Sequence, residues 1–375
     1  MMMQTKSTIK DYSREDWSAL EQPDFPFTDF EFLHALETSG SIGEGTGWYP
    51  QYQVWQSPGK LDAVGLSFVK TNSYGEYIFD WQWAEAYKRY QIPYYPKQTS
   101  AIPFTPATGS KLLRRSGSAV SQLDMITAMT SGQPDVSGFH ALFIPEREVE
   151  LYESAGYSKR LSFQFHWKND GYDNFEQFLK NLKGKKHKAI AKERREVAQH
   201  DLNIRTLTHE QLTPEIADAV YGFYRMTCQK MRAIPYLQRG FFEEIFSSMK
   251  DRIALPCAFK GSKPIAAALN FYKGQSFFGR YWGCSEEYKH LHFELCYYRT
   301  LDFVIDHKIN LMEAGAQGHH KLQRGFVPCL THSAHRILYP EFKQAIDLFI
   351  QEEADHLRTQ LKDPEAFSPF KPKPL

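Results

Sequence analysis

Three apolar segments joined by tight turns constrain the fold of this chain more than any other feature. They are IALPCAFK (253–260), PIAAALNFY (264–272) and SFFGRYWG (276–283), and the turns between them are GSK and KGQ. Glycine-containing turns between apolar runs are typical of hairpins, so the sequence predicts an antiparallel meander. Apolar residues at helical spacing predict a helix over 292–308, and the run NLMEAG (310–315) predicts a further strand.

The first half of the chain repeats this order more loosely. Its apolar runs are QYQVWQ (51–56), LDAVGLSFVKT (61–71), EYIFDW (76–81), HALFIP (140–145) and KRLSFQFHW (159–167). A chain of 375 residues exceeds the usual size of a single core. The sequence therefore predicts an α/β (α+β) protein with two tandem domains, 1–168 and 169–375.

Composition excludes several classes of function. The formal net charge is +1, from 45 basic and 44 acidic residues, which argues against DNA as a partner. No apolar run reaches the roughly 18 residues of a membrane span, and the N-terminus lacks the apolar core of a signal peptide. The five cysteines form no CxxC pair, which favours a reducing compartment and a cytoplasmic protein. The sequence does not indicate the oligomeric state.

One stretch, 279–335, gathers most of the residues suited to chemistry. It contains two predicted strand ends, a helix start and a loop rich in glycine, histidine and basic residues. Because α/β folds bind ligands at the carboxyl ends of strands, we expect these side chains to converge on one crevice. The residues are His292, Glu294, Glu313, Gln317, His320, Lys321 and Arg324.

A basic helical segment lies between the two predicted sheets. From Lys180 to Arg195 it contains eight basic residues and one acidic residue, and Lys188, Lys192 and Arg195 share one helical face. The face is suited to a phosphate-bearing ligand, either a coenzyme or an RNA. A solvated surface helix is an equally good interpretation of this pattern.

Five blocks of the sequence resemble a known family. They are FLHALETSGSIGEGTGW, SYGEYIFDWQWAEAY, PYYPKQTSAIPFTPATG, HFELCYY and EAGAQGHHKLQRGF, which together run through nearly the whole chain. The chain is similar in these blocks to the predicted N-acyltransferases of the FemAB-like group, which is associated with peptidoglycan biosynthesis. The resemblance implies two tandem GNAT-like domains with mixed, mostly antiparallel sheets. The N-terminal domain would bind the acceptor and the C-terminal domain would catalyse.

The resemblance also implies an activated donor and an amine acceptor. The donor would be acyl-CoA or aminoacyl-tRNA, used as a co-substrate with no tightly bound cofactor, and the acceptor a small molecule or peptide. Two departures leave the donor open. The stretch CSEEYKHLHF (284–293) has no glycine-rich pyrophosphate loop, and no long heptad segment predicts the coiled-coil arm of relatives that use tRNA.

Amide formation needs a base for the amine proton and donors for the developing oxyanion. We predict that Glu294 or Glu313 is the base, although Glu294 at a helix start is equally suited to stabilising the helix dipole. His292 and His320 would orient these carboxylates or carry the proton, and Tyr281 would protonate the leaving group. The predicted substrate-binding residues are Arg280, Trp282, Gln317, Lys321 and Arg324. No metal site is predicted, because the histidines lack metal-ligand spacing.

Two other interpretations remain open at the level of sequence. The chain could be a non-catalytic recognition protein for peptides or cell-wall precursors, or an RNA-binding module centred on the basic helix. Aromatic residues of the first half either line a cleft for a sugar or peptide or pack in the core. These are Tyr49, Trp55, Trp81, Trp83, Tyr94 and Tyr95.

Overall fold

The computed structural model describes residues 2–131, 135–315, 318–362 and 368–371. The strands are β1 (Met2–Lys6), β2 (Trp48–Pro50), β3 (Tyr52–Ser57), β4 (Lys60–Gly65), β5 (Phe68–Lys70), β6 (Lys97–Ser100), β7 (Leu112–Arg114), β8 (Gly138–Ile144), β9 (Ser158–Lys168), β10 (Asn203–Leu207), β11 (Ile253–Lys260), β12 (Lys263–Lys273), β13 (Ser276–Cys284), β14 (Leu311–Glu313) and β15 (Val327–Ile337). The helices are α1 (Arg14–Ser18), α2 (Phe30–Thr38), α3 (Trp81–Arg89), α4 (Gln122–Thr130), α5 (Val149–Ser154), α6 (Phe175–Asn181), α7 (Gly184–Ala198), α8 (Pro214–Lys230), α9 (Arg239–Ser248), α10 (Leu291–Phe293), α11 (Arg299–Asp306) and α12 (Pro340–Gln360).

The chain forms two compact units. Unit 1 comprises Met1–Gln22, Phe27–Phe163 and Leu330–Lys362, and unit 2 comprises Pro23–Pro26, Gln164–Cys329 and Asp363–Leu375. The predicted division at residue 168 lies near the crossing at residue 164, whereas the return of 330–362 to unit 1 was not predicted. The roles assigned to the two domains remain predictions.

Unit 1 contains two sheets. Strands β1, β3, β4 and β7 form an antiparallel sheet in the order β1-β3-β4-β7. A second sheet has the order β15-β8-β6-β5-β2, and within it only the pair β6/β8 is parallel. Buried side chains of α4, such as Met125 and Met129, pack with Ala63 and Leu112 of the first sheet.

Unit 2 is built on the predicted meander. Its sheet has the order β10-β11-β12-β13-β14-β9, with a parallel pairing only between β13 and β14. Leu291 of α10 packs with Ile265 and Ala266 in its core. The α/β fold class with mixed, mostly antiparallel sheets is thus confirmed.

Two predicted strands of the first half differ from the structure. LDAVGLSFVKT is divided into β4 and β5, which belong to different sheets. Residues 76–80 of EYIFDW are a loop that leads into α3, because Tyr77 has a φ of 61°, which interrupts an extended strand. In this loop Glu76 and Asp80 pair with Lys97. Among the residues that the structure describes, no helix is both long enough and apolar enough to cross a bilayer.

Candidate active site

A small cavity lies where β13 and β14 separate. The two strands pair in parallel only from Ser276↔Leu311 to Phe278↔Glu313. β14 ends at that point, whereas β13 continues along β12 to Cys284. The cavity has a volume of about 150 Å³ and is lined by residues of β13, including Gly279, and by Ala314 and Gly315, which follow β14. Separation of paired strands leaves a strand edge that an extended ligand can use.

A bulge shapes the cavity wall in β13. Leu269 pairs with Tyr281 and Asn270 with Gly279, so Arg280 is the extra residue. Bulges redirect side chains and are frequent beside functional sites. The Arg280 Nη2 donates to the hydroxyl of Tyr281 over 3.3 Å, and both residues line the cavity. The structure therefore brings together two of the residues predicted from sequence.

The two faces of the sheet carry different side chains at this point. Phe277 packs on Phe303 of α11, with ring centroids 5.9 Å apart, whereas Tyr281 packs on Tyr224 of α8 at 5.4 Å. Because register partners share a face, Glu313 opposite Phe278 lies on the α8 face with Tyr281. Trp282 and His292 lie on the opposite face, with ring centroids 5.2 Å apart.

Glu313 is buried beside a histidine that was not predicted. His166 of β9 is its register partner, and the His166 Nε2 lies 4.0 Å from a Glu313 carboxylate oxygen. Burial, together with Lys168 and Lys321, lowers the pKa of His166 to about 4, so the ring is neutral near pH 7. The sequence signal was only a histidine inside an apolar strand, and its pairing with β14 is long-range.

His292 and His320 belong to an aromatic cluster rather than to a carboxylate pair. The His320 Nε2 is 2.8 Å from the hydroxyl of Tyr297, and the His292 ring lies 6.2 Å from that of His320. Burial lowers the pKa of His292 to about 4 and also lowers the pKa of His320. Within the described ranges, neither imidazole hydrogen-bonds to Glu294 or Glu313, so the predicted orienting role lacks geometric support.

Glu294 is held in buried ion pairs away from the cavity. It begins a π-helical turn, Glu294–Tyr298, between α10 and α11. Its Oε1 lies 3.1 Å from a nitrogen of Arg194 and 3.1 Å from a nitrogen of Arg299. Burial raises the pKa of Glu294, and the two guanidinium groups oppose that rise. A carboxylate paired with two cations is a weak candidate for a base.

Arg324 is also committed to internal contacts. Its Nε donates to the Tyr298 hydroxyl over 3.0 Å, its Nη1 to the His320 carbonyl over 2.9 Å, and its Nη2 to Glu193 over 2.9 Å. All three nitrogens of this buried guanidinium therefore have partners. Arg324 could bind a substrate, as predicted, only by breaking some of these hydrogen bonds.

Lys321 lies behind the cavity wall. Its Nζ donates to the carbonyl of Gly315 over 2.8 Å, and burial lowers its pKa to about 8. Gln317, which was predicted to bind substrate, lies outside the described residues.

The basic segment forms α7, with its charges on an exposed face. Lys188, Lys192 and Arg195 are exposed, whereas Ile190 and Val197 are buried. The Lys192 Nζ lies 3.7 Å from the Glu196 Oε1, one turn further along the helix. Because Arg194 of α7 pairs with Glu294, this helix packs directly behind the helical segment that lines the cavity.

The connection from β13 to α10 contains two glutamates and one lysine. Glu286 pairs with Lys260 at 3.0 Å, and Glu287 pairs with Lys230. The absence of glycine from 284 to 293 limits the backbone conformations that could wrap a pyrophosphate.

Comparison with known proteins identifies the family. A family model described as peptidoglycan biosynthesis/recognition, FemAB-like, matches residues 8–372, and the chain belongs to this family. No curated protein matches the chain. The predicted membership is therefore confirmed.

Solved structures share the fold at low sequence identity. The C-terminal domain of a predicted lysylphosphatidylglycerol synthetase from Agrobacterium fabrum has a TM-score of 0.54 at 9% identity, over 91% of this chain and 95% of that chain. FemX has a TM-score of 0.50 at 9% identity, over 92% and 100%. L-PGS from Bacillus licheniformis has a TM-score of 0.51 at 9% identity, over 84% and 94%. Each of these three structures therefore shares the fold of this chain over most of its length.

Proposed function

We propose that the protein is an N-acyltransferase, moving an acyl or aminoacyl group from an activated donor to an amine. The observation that carries this proposal is the cavity where β13 and β14 separate. It has a strand edge at a bulge, and the buried Glu313 directly precedes the lining residue Ala314. The strand edge would align the donor, and the carbonyl carbon would lie near Tyr281. FemX and L-PGS have the same fold, which is consistent with this proposal.

Glu313 serves as the base and Tyr281 as the acid. The amine nitrogen attacks the donor carbonyl carbon, and its proton passes to Glu313, directly or through a water molecule. The bond between carbonyl carbon and carrier then breaks, and the carrier atom takes a proton from Tyr281. Burial raises the pKa of Tyr281, so its hydroxyl is protonated near pH 7 and can donate. Neutral His166 lies beside the Glu313 carboxylate without adding a charge.

We infer that the donor is aminoacyl-tRNA rather than acyl-CoA. The β13–α10 connection has no glycine from 284 to 293 with which to wrap a pyrophosphate, whereas α7 presents an exposed basic face behind the cavity. A long phosphate backbone can contact such a face along its length. The acceptor is then a peptide or a small molecule with a free amino group, consistent with a peptidoglycan-related family.

Reversing two charges on α7 tests this choice of donor. The double variant Lys188→Glu with Arg195→Glu is expected to weaken binding of charged tRNA and to reduce the slope of log K against log salt by about 1 to 2. Filter binding between about 50 and 200 mM salt measures both quantities. The matched control is Lys10→Glu with Arg114→Glu, which reverses an exposed lysine and an exposed arginine of unit 1. Equal losses in both double variants would contradict a role specific to α7.

A recognition protein without catalysis is the second candidate. The ion pairs of Glu294 and Arg324 favour it, because two predicted catalytic or binding groups are structural. Such a protein would bind a cell-wall peptide without transferring anything to it. Detection of a covalent product separates the two candidates.

A further inference from the structure

The loop between β5 and α3 has charged side chains inside and aromatic rings outside. Glu76 and Asp80 are buried, whereas Tyr74 and Phe79 are 46% and 53% exposed, and Trp81 at the start of α3 is 43% exposed. Charged residues are normally exposed and large aromatic residues are normally buried. An inverted loop costs stability, and clustered exposed aromatic rings mark a binding surface.

Two fully buried lysines fix this loop. The Lys97 Nζ donates to Glu76 over 2.7 Å, to Ser73 over 2.9 Å and also to Asp80. The Lys70 Nζ donates to the carbonyls of Gly47 and Tyr74 over 3.0 and 3.3 Å. Because these contacts span the loop, its outward face is held in one conformation.

Ser73 and Asp80, which both contact Lys97, also fix the walls of a neighbouring cavity. This aromatic cavity has a volume of about 680 Å³ and is lined by Trp81, Ile92, Pro93, Tyr94 and Tyr95. The Tyr94 hydroxyl donates to Asp80 over 2.6 Å, and the Tyr95 hydroxyl lies 2.8 Å from the Ser73 hydroxyl. Its volume is in the range of small-ligand sites, and walls already fixed lower the ordering cost of binding.

We propose that the aromatic cavity is a carbohydrate-binding site that takes a neutral pyranose ring stacked on Trp81. The C–H face of a pyranose is apolar and suits an indole face, while its hydroxyls need polar partners at the rim. Glu85, Lys88 and Gln91 provide those partners. Glu85, which also lies 3.6 Å from Arg89, accepts hydrogen bonds and Lys88 donates them, so the rim suits hydroxyls that both donate and accept.

Trp81 provides a direct optical test. It is the exposed tryptophan of the chain, whereas Trp282 is half-buried and the other tryptophans are buried. Titration with β-1,4-linked N-acetylglucosamine oligomers is expected to protect its fluorescence from acrylamide quenching. Calorimetry is expected to show that Trp81→Ala binds the oligomers at least about tenfold more weakly than the unaltered protein. Trp81→Phe is expected to regain part of that affinity, because it restores an aromatic ring.

Phe79→Ala is the matched control, since this exposed ring belongs to the same loop but does not line the cavity. It is expected to retain affinity, and circular dichroism checks the fold of each variant. No protection by the oligomers, equal affinity in Trp81→Ala, or binding of a cell-wall stem peptide in place of the oligomers would each overturn the proposal. No acyl donor is present in these titrations, so their outcome is independent of the proposed transfer reaction.

Discussion

Replacing Glu313 by glutamine is expected to slow acyl transfer by a factor of about 10² to 10⁴, which is the usual contribution of a general base. Glutamine keeps the shape of the side chain but cannot take the amine proton. Single-turnover measurement with saturating donor and acceptor isolates the chemical step from binding. Affinity for the donor is expected to stay unchanged.

Glu294→Gln is the matched control for this experiment. It makes the same chemical change in a carboxylate that is buried between Arg194 and Arg299. We expect this variant to lose stability, because Arg299 loses its ion pair and Arg194 keeps only Asp302. We expect it to transfer at a rate close to that of the unaltered protein. A large rate loss in Glu294→Gln with little loss in Glu313→Gln would reverse the assignment of the base.

Replacing Lys97 by methionine is expected to lower the free energy of unfolding of unit 1 by about 3 to 5 kcal/mol. Lys97 is fully buried between Glu76 and Asp80, so its removal leaves two buried carboxylates without the cation that contacts them. Methionine fills a similar volume, which confines the effect to charge and hydrogen bonding. Urea unfolding followed by linear extrapolation measures the change.

Lys88→Met is the control for that measurement, because Lys88 is an exposed lysine of the same unit. It is expected to change the free energy of unfolding by less than about 0.5 kcal/mol. A comparably small change in Lys97→Met would mean that the two carboxylates do not depend on the lysine charge. Another interaction would then have to hold the loop between β5 and α3 in place.

Local pattern predicted much of unit 2 but not its ion pairs. The predicted strands at 253–260, 264–272 and 276–283 agree with β11, β12 and β13 to within a residue at each end, because tight turns set both register and boundaries. The helix after them contains a π-helical turn, which no spacing of apolar residues indicated. Glu294 and Arg324 pair with residues about 100 positions away or more, on α7. Such contacts depend on tertiary packing, which one sequence does not contain.

Only part of the predicted set of residues lines the cavity, and the roles assigned to them stay predictions. Arg280, Tyr281, Trp282 and His292 line the cavity, as expected for the carboxyl end of a strand. His166 was missed because β9 lies more than 100 residues earlier in the chain. In unit 1, the apolar residues of EYIFDW predicted a strand. Residues 76–80 instead form a loop in which Glu76 and Asp80 pair with the buried Lys97. The burial of a charged residue can be predicted from sequence only when its ion-pair partner is known.

The most direct test of the central claim is a transfer assay with two donors. Purified protein is incubated with a peptide bearing a free lysyl amine and either a pool of aminoacyl-tRNAs or acetyl-CoA, and the products are analysed by mass spectrometry. We predict an amide-linked aminoacyl product that forms from charged tRNA and is lost in Glu313→Gln. Product from acetyl-CoA alone would overturn the choice of donor. Binding of the peptide without product from either donor would contradict catalysis and establish a recognition protein.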